Sequence, residues 1–211
     1  MGADRASRLA SPSARGYTHR VSTKTRALRP KHVLSPEYPL LGMLMAGPSH
    51  GYDLHQKLIA ELGNVWHLSQ SQTYSVLKRL EKRGDISGRR RTQDKLPARQ
   101  VLQITAAGRK RFSQWLQGAA STSARSVRLE FLTRLYFVNL LAPDQAPRIY
   151  AAQAQEITRT IRRLRLSVAQ VPESQTFNRL SLDLRLRQME LVRAWLREIR
   201  VRFHIRVKGP R

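Results

Sequence analysis

From residue 34 onward, apolar positions recur at helical spacing nearly everywhere and alternate in one stretch only. Tyr38, Leu40, Leu41, Met43, Leu44 and Met45 form a short, very apolar run behind Ser35 and Pro36, which offer a cap and a first-turn proline. Pro39 predicts a secure helix start one turn later, and Gly47 and Pro48 end the run. Ser49 is expected to open a second helix with Tyr52, Leu58, Ile59 and Leu62 on its buried side and Asp53, His55, Gln56 and Lys57 on its wet side. Gly63 and Asn64 turn the chain, and Trp66 with Leu68 plugs the space between the helices.

The next periodic stretch, residues 70–83, has sharper ends. Ser69 followed by Gln72 makes a capping box, and Gly84 supplies a left-handed exit. Thr73, Val76, Leu77 and Leu80 share one arc; Ser71, Ser75, Lys78 and Lys82 share the opposite one, flanked by Tyr74 and Arg79. One face packs, and the other is small, polar and cationic. Such a face suits the major groove, where hydroxyls and amides near the N-terminus reach base edges and long cations reach phosphates. An ordinary surface helix has the same pattern, so the neighbouring segments decide.

Those neighbours are strands. Ile86 begins one that runs to about Arg90, residues 92–97 are polar, and residues 99–105 alternate as a returning strand around Val101. Thr105 caps a helix through Phe112, Trp115 and Leu116, and residues 118–126 are a small-residue linker. Beyond it the pattern is helical: Val127, Phe131, Leu135 and Val138, then Ile157, Ile161, Leu164, Val168 and Val171, then a long stripe of Leu182, Leu186, Met189, Val192, Leu196, Ile199 and Phe203, widened by Leu184, Leu191 and Trp195. Three helices offer too little surface to cover stripes this wide, so Leu182, Leu186, Met189, Val192, Trp195, Leu196 and Ile199 are expected at a dimer interface. The expected organisation is a basic N-terminal arm without regular structure over 1–34, a winged helix-turn-helix over 35–118, and a helical dimerisation domain over 127–206. The fold class is mostly α, with a two-stranded β wing. Composition leaves open whether the arm holds phosphates or is a leader without a role.

Composition narrows the partner. Thirty-nine Lys and Arg against fourteen Asp and Glu give a formal charge of +25. A charge of that size opposes compaction unless a polyanion is near, which points to nucleic acid first and an anionic membrane second. Cysteine is absent, excluding disulfides, Cys-type zinc sites and thiol catalysis. No run approaches the roughly 18 apolar residues of a membrane span, and Arg5, Arg8, Arg15 and Arg20 interrupt any signal-peptide core. A cytoplasmic location is expected, with no membrane partner. His50, Asp53 and His55 do not converge as metal ligands, because positions five apart leave a shared helix face. No phosphate loop or catalytic triad context appears, so neither an enzyme nor a cofactor is expected. Trp66, Trp115 and Trp195 read as core rather than as cavity walls.

Between Leu40 and Leu116 the sequence resembles the PadR family of bacterial transcriptional regulators. The resemblance rests on Leu41-Gly42-Met43-Leu44, on Gly47-Pro48-Ser49-His50-Gly51-Tyr52-Asp53-Leu54, on residues 74–84 from Tyr74 to Gly84, and on residues 97–109 from Pro97 to Arg109. A looser likeness to the family's C-terminal dimerisation region rests on Phe131, Leu132, Leu135 and Phe137. The family implies a homodimeric winged-helix protein, usually a repressor, whose recognition helices enter the two halves of an inverted repeat. Some members release DNA on binding a small aromatic effector. Three positions depart from the family pattern: Leu102 where Tyr is usual, Gln100 where Lys or Arg is frequent, and Asp85 where an apolar residue often follows the glycine.

The function expected is therefore sequence-specific binding of double-stranded DNA by a homodimer. Ser71, Gln72 and Ser75 would read bases, with Gln72 placed for a bidentate contact to adenine. Lys78, Arg79 and Lys82 would hold phosphates, as would Arg89, Arg90, Arg91, Lys95 and Arg99 of the wing, with Tyr74, His50 and Tyr52 beside them. Two other readings stay open: a non-specific nucleoid or RNA binder in which only charge matters, and a ligand-sensing or scaffold protein that kept the fold without operator binding.

Overall fold

The computed structural model describes residues 34–93 and 96–202, with side chains described except at 89–99 and 202. The expected basic arm thus lies outside the described residues apart from Leu34, and so do Lys95 and Phe203.

The first helix, α1 (Glu37–Met45), begins two residues before Pro39, not a turn after it. A proline in the first helical turn sacrifices no hydrogen bond, since the N–H it lacks has no intrahelical acceptor there. Pro36 takes the cap position, and the Glu37 N–H donates to Ser35 Oγ at 3.3 Å. Ser49 does not open the second helix either. Ser49–His50 form a short strand, β1, and His50 precedes α2 (Gly51–Leu62). Two residues are too few to display an alternating pattern, which is why the sequence concealed this strand. The buried side of α2 is also rotated from the expected one. Leu54, His55, Leu58 and Leu62 face inward, while Tyr52 and Ile59 are about half exposed.

The third helix, α3 (Gln70–Lys82), has its expected capping box, and Gly84 exits at φ 77°. Strands β2 (Ile86–Gln93) and β3 (Leu96–Ile104) then pair antiparallel from Ile86↔Ile104 outward. Because β1 adds to the far side of β3, the sheet has three strands in the order β1-β3-β2. Thr105 caps α4 (Ala106–Leu116) by accepting from the Gly108 N–H at 3.1 Å. Next come α5 (Ala124–Ser126), a π-helical turn (Val127–Phe131), α6 (Leu132–Leu141), α7 (Ala146–Gln170) and α8 (Thr176–Arg202).

Two apolar cores result. Leu40, Leu41, Leu44, Leu54, Leu58, Val76, Leu80, Ile86, Ile104 and Phe112 fill the first; Phe131, Val138, Tyr150, Ile157, Ile161, Met189 and Leu196 belong to the second. The segment 127–141 serves both. Leu129 and Phe137 enter the first core, and a Cβ on Gly42 would stand 2.5 Å from the Phe137 ring, so the glycine is what admits that ring. Trp66 adds a polar tie by donating its indole N–H to Thr133 Oγ1 at 2.8 Å.

Candidate nucleic-acid interface

The exposed face of α3 is fixed from its first turn. Ser69 Oγ accepts the Gln72 N–H at 3.2 Å, and the Gln72 side-chain carbonyl accepts the Ser69 N–H at 2.9 Å. That arrangement limits Gln72. A bidentate contact to adenine needs both its carbonyl and its amide N–H, and here the carbonyl is engaged, leaving the NH₂ to donate. Ser71 and Ser75 are exposed on the same side; Ser75 Oγ donates to Ser71 O at 2.9 Å, so its lone pairs remain to accept. Lys78 and Lys82 are exposed further along.

Beside this face lies a cleft of about 700 Å³ lined by His50, Tyr52, Tyr74, Lys78, Glu81 and Gln100, among others. Gly51 makes room for Tyr74, since a Cβ there would meet the phenol ring at 2.9 Å. Tyr52 and Tyr74 are each about half exposed. Gln100 closes the cleft. Its side-chain NH₂ donates to Glu81 Oε1 at 2.8 Å, while its backbone carbonyl lies 3.1 Å from His50 Nδ1. The wing is thereby held to both β1 and α3. On the wing, Arg89 is opposite Val101, Arg90 opposite Gln100 and Arg91 opposite Arg99. The side chains of Arg89, Arg90, Arg91 and Arg99 lie outside the described residues, as does Lys95 altogether.

Arg79 belongs to a different assembly. Its Nε is 3.7 Å from Glu37 Oε1, and Arg83 Nη2 is 2.7 Å from the same oxygen. Arg111 pairs with Glu37 and, at 2.6 Å, with Asp85. Both carboxylates are buried. Burial alone would raise the Glu37 pKa, but Arg111 and Arg83 outweigh it and hold the carboxyl below its ordinary value. One ion network thus ties α1, the end of α3, the entry of β2 and α4. Periodicity could not show it; the one signal was Asp85, a departure from the pattern the sequence resembles, and its carboxylate is paired with Arg111.

The seven α8 residues expected between subunits lie mostly against α7 of the same chain. Met189, Leu196 and Ile199 are buried, and Leu182, Leu186, Val192 and Trp195 pack partly buried around them. A second stripe, Phe177, Leu180, Leu184 and Leu191, is 57–85% exposed. Its steps of three, four and seven follow a heptad seam.

Residues 40–114, which contain the capped helix, the cleft and the wing, match the model of the transcriptional regulator PadR-like family. The negative transcriptional regulator PadR of Bacillus subtilis (strain 168) is 29% identical to the chain over 120 residues, which cover 57% of this chain and 65% of that protein. Among solved structures, Bacillus subtilis PadR in complex with operator DNA is 26% identical, covering 81% of this chain and 97% of that one with a TM-score of 0.41. Bacillus subtilis PadR in complex with p-coumaric acid is 26% identical, with 77% and 95% covered and a TM-score of 0.36. The PadR-like segment of the present chain carries every residue singled out above for DNA except those of the basic arm. No helix among its described residues is long and apolar enough to cross a membrane.

Proposed function

We propose that this chain is a homodimeric, sequence-specific DNA-binding transcriptional regulator, a repressor that sits on an inverted-repeat operator and is released by a small-molecule effector. The observation that carries the reading is the exposed polar face of α3, capped at its N-terminus, seated beside a cleft that Tyr52, Tyr74, His50 and Lys78 line together with Asp53 and Glu81, and set within a PadR-like segment. Ser71, Gln72 and Ser75 contact base edges, Gln72 through its NH₂ unless the cap opens. Lys78 and Lys82 contact phosphates with His50, Tyr52 and Tyr74, and Arg89, Arg90, Arg91, Lys95 and Arg99 extend the contact along the wing. Arg79 acts at the margin, because Glu37 already draws it back toward α1.

Two subunits meet through the exposed α8 stripe of Phe177, Leu180, Leu184 and Leu191. The inner residues from Leu182 to Ile199 support that face from behind. A two-fold pairing covers the same stripe on both chains and sets two recognition helices about 34 Å apart, one turn of DNA. The reading includes no catalytic step and no cofactor, and it places the protein with DNA in the cytoplasm. The test is competition: an inverted repeat from upstream of the protein's own gene against random DNA of equal length at fixed salt. Preference of at least about a hundredfold supports it, being below the usual 10³–10⁷ ratio yet far from unity. Equal affinity would leave only the non-specific binder.

A further inference from the structure

A cavity of about 370 Å³ opens between α7 and α8, lined by Thr158, Ile161, Arg162, Arg165, Leu166 and Arg193. Arg193 lies four residues after buried Met189 and three before buried Leu196, on the side of α8 that meets α7. The residue is half-buried and its Nε is wholly so, yet its guanidinium has no hydrogen bond or ion pair among the described residues. Arg162, exposed and one residue past buried Ile161, has none either. Of the three arginines only Arg165 is satisfied, its Nη2 donating to Glu190 Oε1 at 2.6 Å. Thr158 has no free donor, because its hydroxyl donates to Ala154 O at 2.9 Å.

Packing does not account for Arg193. Its neighbours on this side of α8, Met189 and Leu196, are apolar, and an apolar side chain between them would carry no desolvation penalty, whereas a partly buried cation without an acceptor destabilises the fold. Groups held against stability are characteristic of binding sites. Three guanidiniums facing one carboxylate, that of Glu190, leave a surplus of two positive charges around the cavity.

We propose that this cavity binds a small, soluble alkyl phosphate monoester. Near neutral pH such a group carries about two negative charges, matching the surplus, and its oxygens accept from both idle guanidiniums. A carboxylate or a phosphodiester brings only one charge. The phosphate alone would leave most of the volume unfilled, since pockets of roughly 300 Å³ upward hold organic ligands. Ile161, buried, and Leu166, 60% exposed, form an aliphatic wall for the rest of the molecule. Held between Arg162 of α7 and Arg193 of α8, the phosphate ties the two helices together, so occupancy stabilises the helical half without any involvement of DNA.

n-Butyl phosphate, n-butyl sulfate and inorganic phosphate separate charge from body. Titrated calorimetrically into the full chain, butyl phosphate is expected to bind saturably and at least about tenfold more tightly than butyl sulfate, which has one charge fewer, and than inorganic phosphate, which lacks the alkyl body. It should also raise the melting temperature of the wild type by mass action. Arg193→Met should abolish the preference for butyl phosphate, and the unliganded variant should melt above the unliganded wild type; an arginine that merely supports the fold would lower the melt when replaced. Arg185→Ala, which removes the same charge from an exposed α8 position outside the cavity, should leave the affinity within about twofold. Equal binding of the three anions, an affinity unchanged in Arg193→Met, or an equal loss in Arg185→Ala, the mark of general attraction to a chain of charge +25, each overturns the site. Butyl phosphate that fails to bind while phosphatidate vesicles sediment the wild type but not Arg193→Met would place the group on a lipid and overturn the soluble ligand. These measurements omit DNA, so they fail separately from operator binding.

Discussion

The PadR-like segment and the α7–α8 pair treat their apolar residues in opposite ways. In the first, large side chains such as Leu40, Leu58, Leu80 and Phe112 are essentially inaccessible, and the buried carboxylates of Glu37 and Asp85 are paired by Arg83 and Arg111, which reach them from the surface of the same chain. In the second, one stripe of α8 is satisfied by α7 while another, from Phe177 to Leu191, stands in water. A reading head must hold its shape alone; a pairing arm must leave something unfinished. The pairing proposed above gives the two stripes of α8 different jobs, stability for the inner one and association for the outer.

Charge substitutions on the two stripes should break that contrast most visibly. Met189→Glu buries a carboxylate between α7 and α8 and is expected to cost more than about 4 kcal/mol, unfolding the helical half in a thermal melt followed by circular dichroism. Leu191→Glu, on the outer stripe, should leave that melt unchanged within about half a kcal/mol at equal monomer content, yet yield monomers by sedimentation that bind a palindromic site far more weakly. Dimers from Leu191→Glu would assign the interface elsewhere.

The next largest effect belongs to the reading head. Glu37→Gln leaves Arg111 and Arg83 without their shared partner and should cost about 3 kcal/mol near neutral pH. Because the folded-state pKa of Glu37 is depressed, its stabilisation is complete above the unfolded value of about 4.5 and is lost as pH falls through the lower folded value. The wild-type and variant stability curves should therefore converge toward strong acid. Parallel curves down to pH 2 would show that the network contributes nothing through this carboxyl.

Smaller still is the contribution of Gln72, whose replacement by Ala should cost about 1 kcal/mol of stability through loss of the capping partner and, because only its NH₂ is free to reach a base, about 1 kcal/mol of base discrimination at one operator position. A full panel of single-base operator variants checks this; unchanged ranking across the panel would confine Gln72 to capping. The least effect per residue is expected from Lys78, Lys82 and Arg89, each of which, neutralised singly, should lower the log–log salt slope of DNA binding by about one unit without changing sequence preference.

Helix α3 and its cap were legible because local chemistry determines them: Ser69, Gln72 and Gly84 act within one turn of themselves, and the arc from Thr73 to Leu80 is buried as its spacing required. The rotation of α2 was not, since Tyr52 and Leu54 are equally apolar in a periodicity count and only the position of Thr73, which His55 meets at 3.0 Å, selects the inward face. The short strand Ser49–His50 depends wholly on β3, fifty residues away. On α8 the sequence displayed the width of the apolar surface, but which stripe meets α7 depends on the turn at residues 171–175 and on the roll of two long helices. Long-range ion pairing escaped for the same reason: Glu37 and Arg111 are 74 positions apart.

The shared segment 127–141 bears on how such proteins diversify. A recombination event that joins a new sensing arm to an old DNA reader at the small-residue linker near residue 120 would strip Phe137 from its seat against Gly42 and Trp66 from Thr133, leaving the reader with an open wound in its core. A crossover after Leu141 carries both contacts along. Exchange of arms within this lineage is thus expected to have occurred on the far side of that helix, so that its inward-facing residues share ancestry with the reader while its opposite face, Phe131, Leu135 and Val138, drifts with whichever arm it serves.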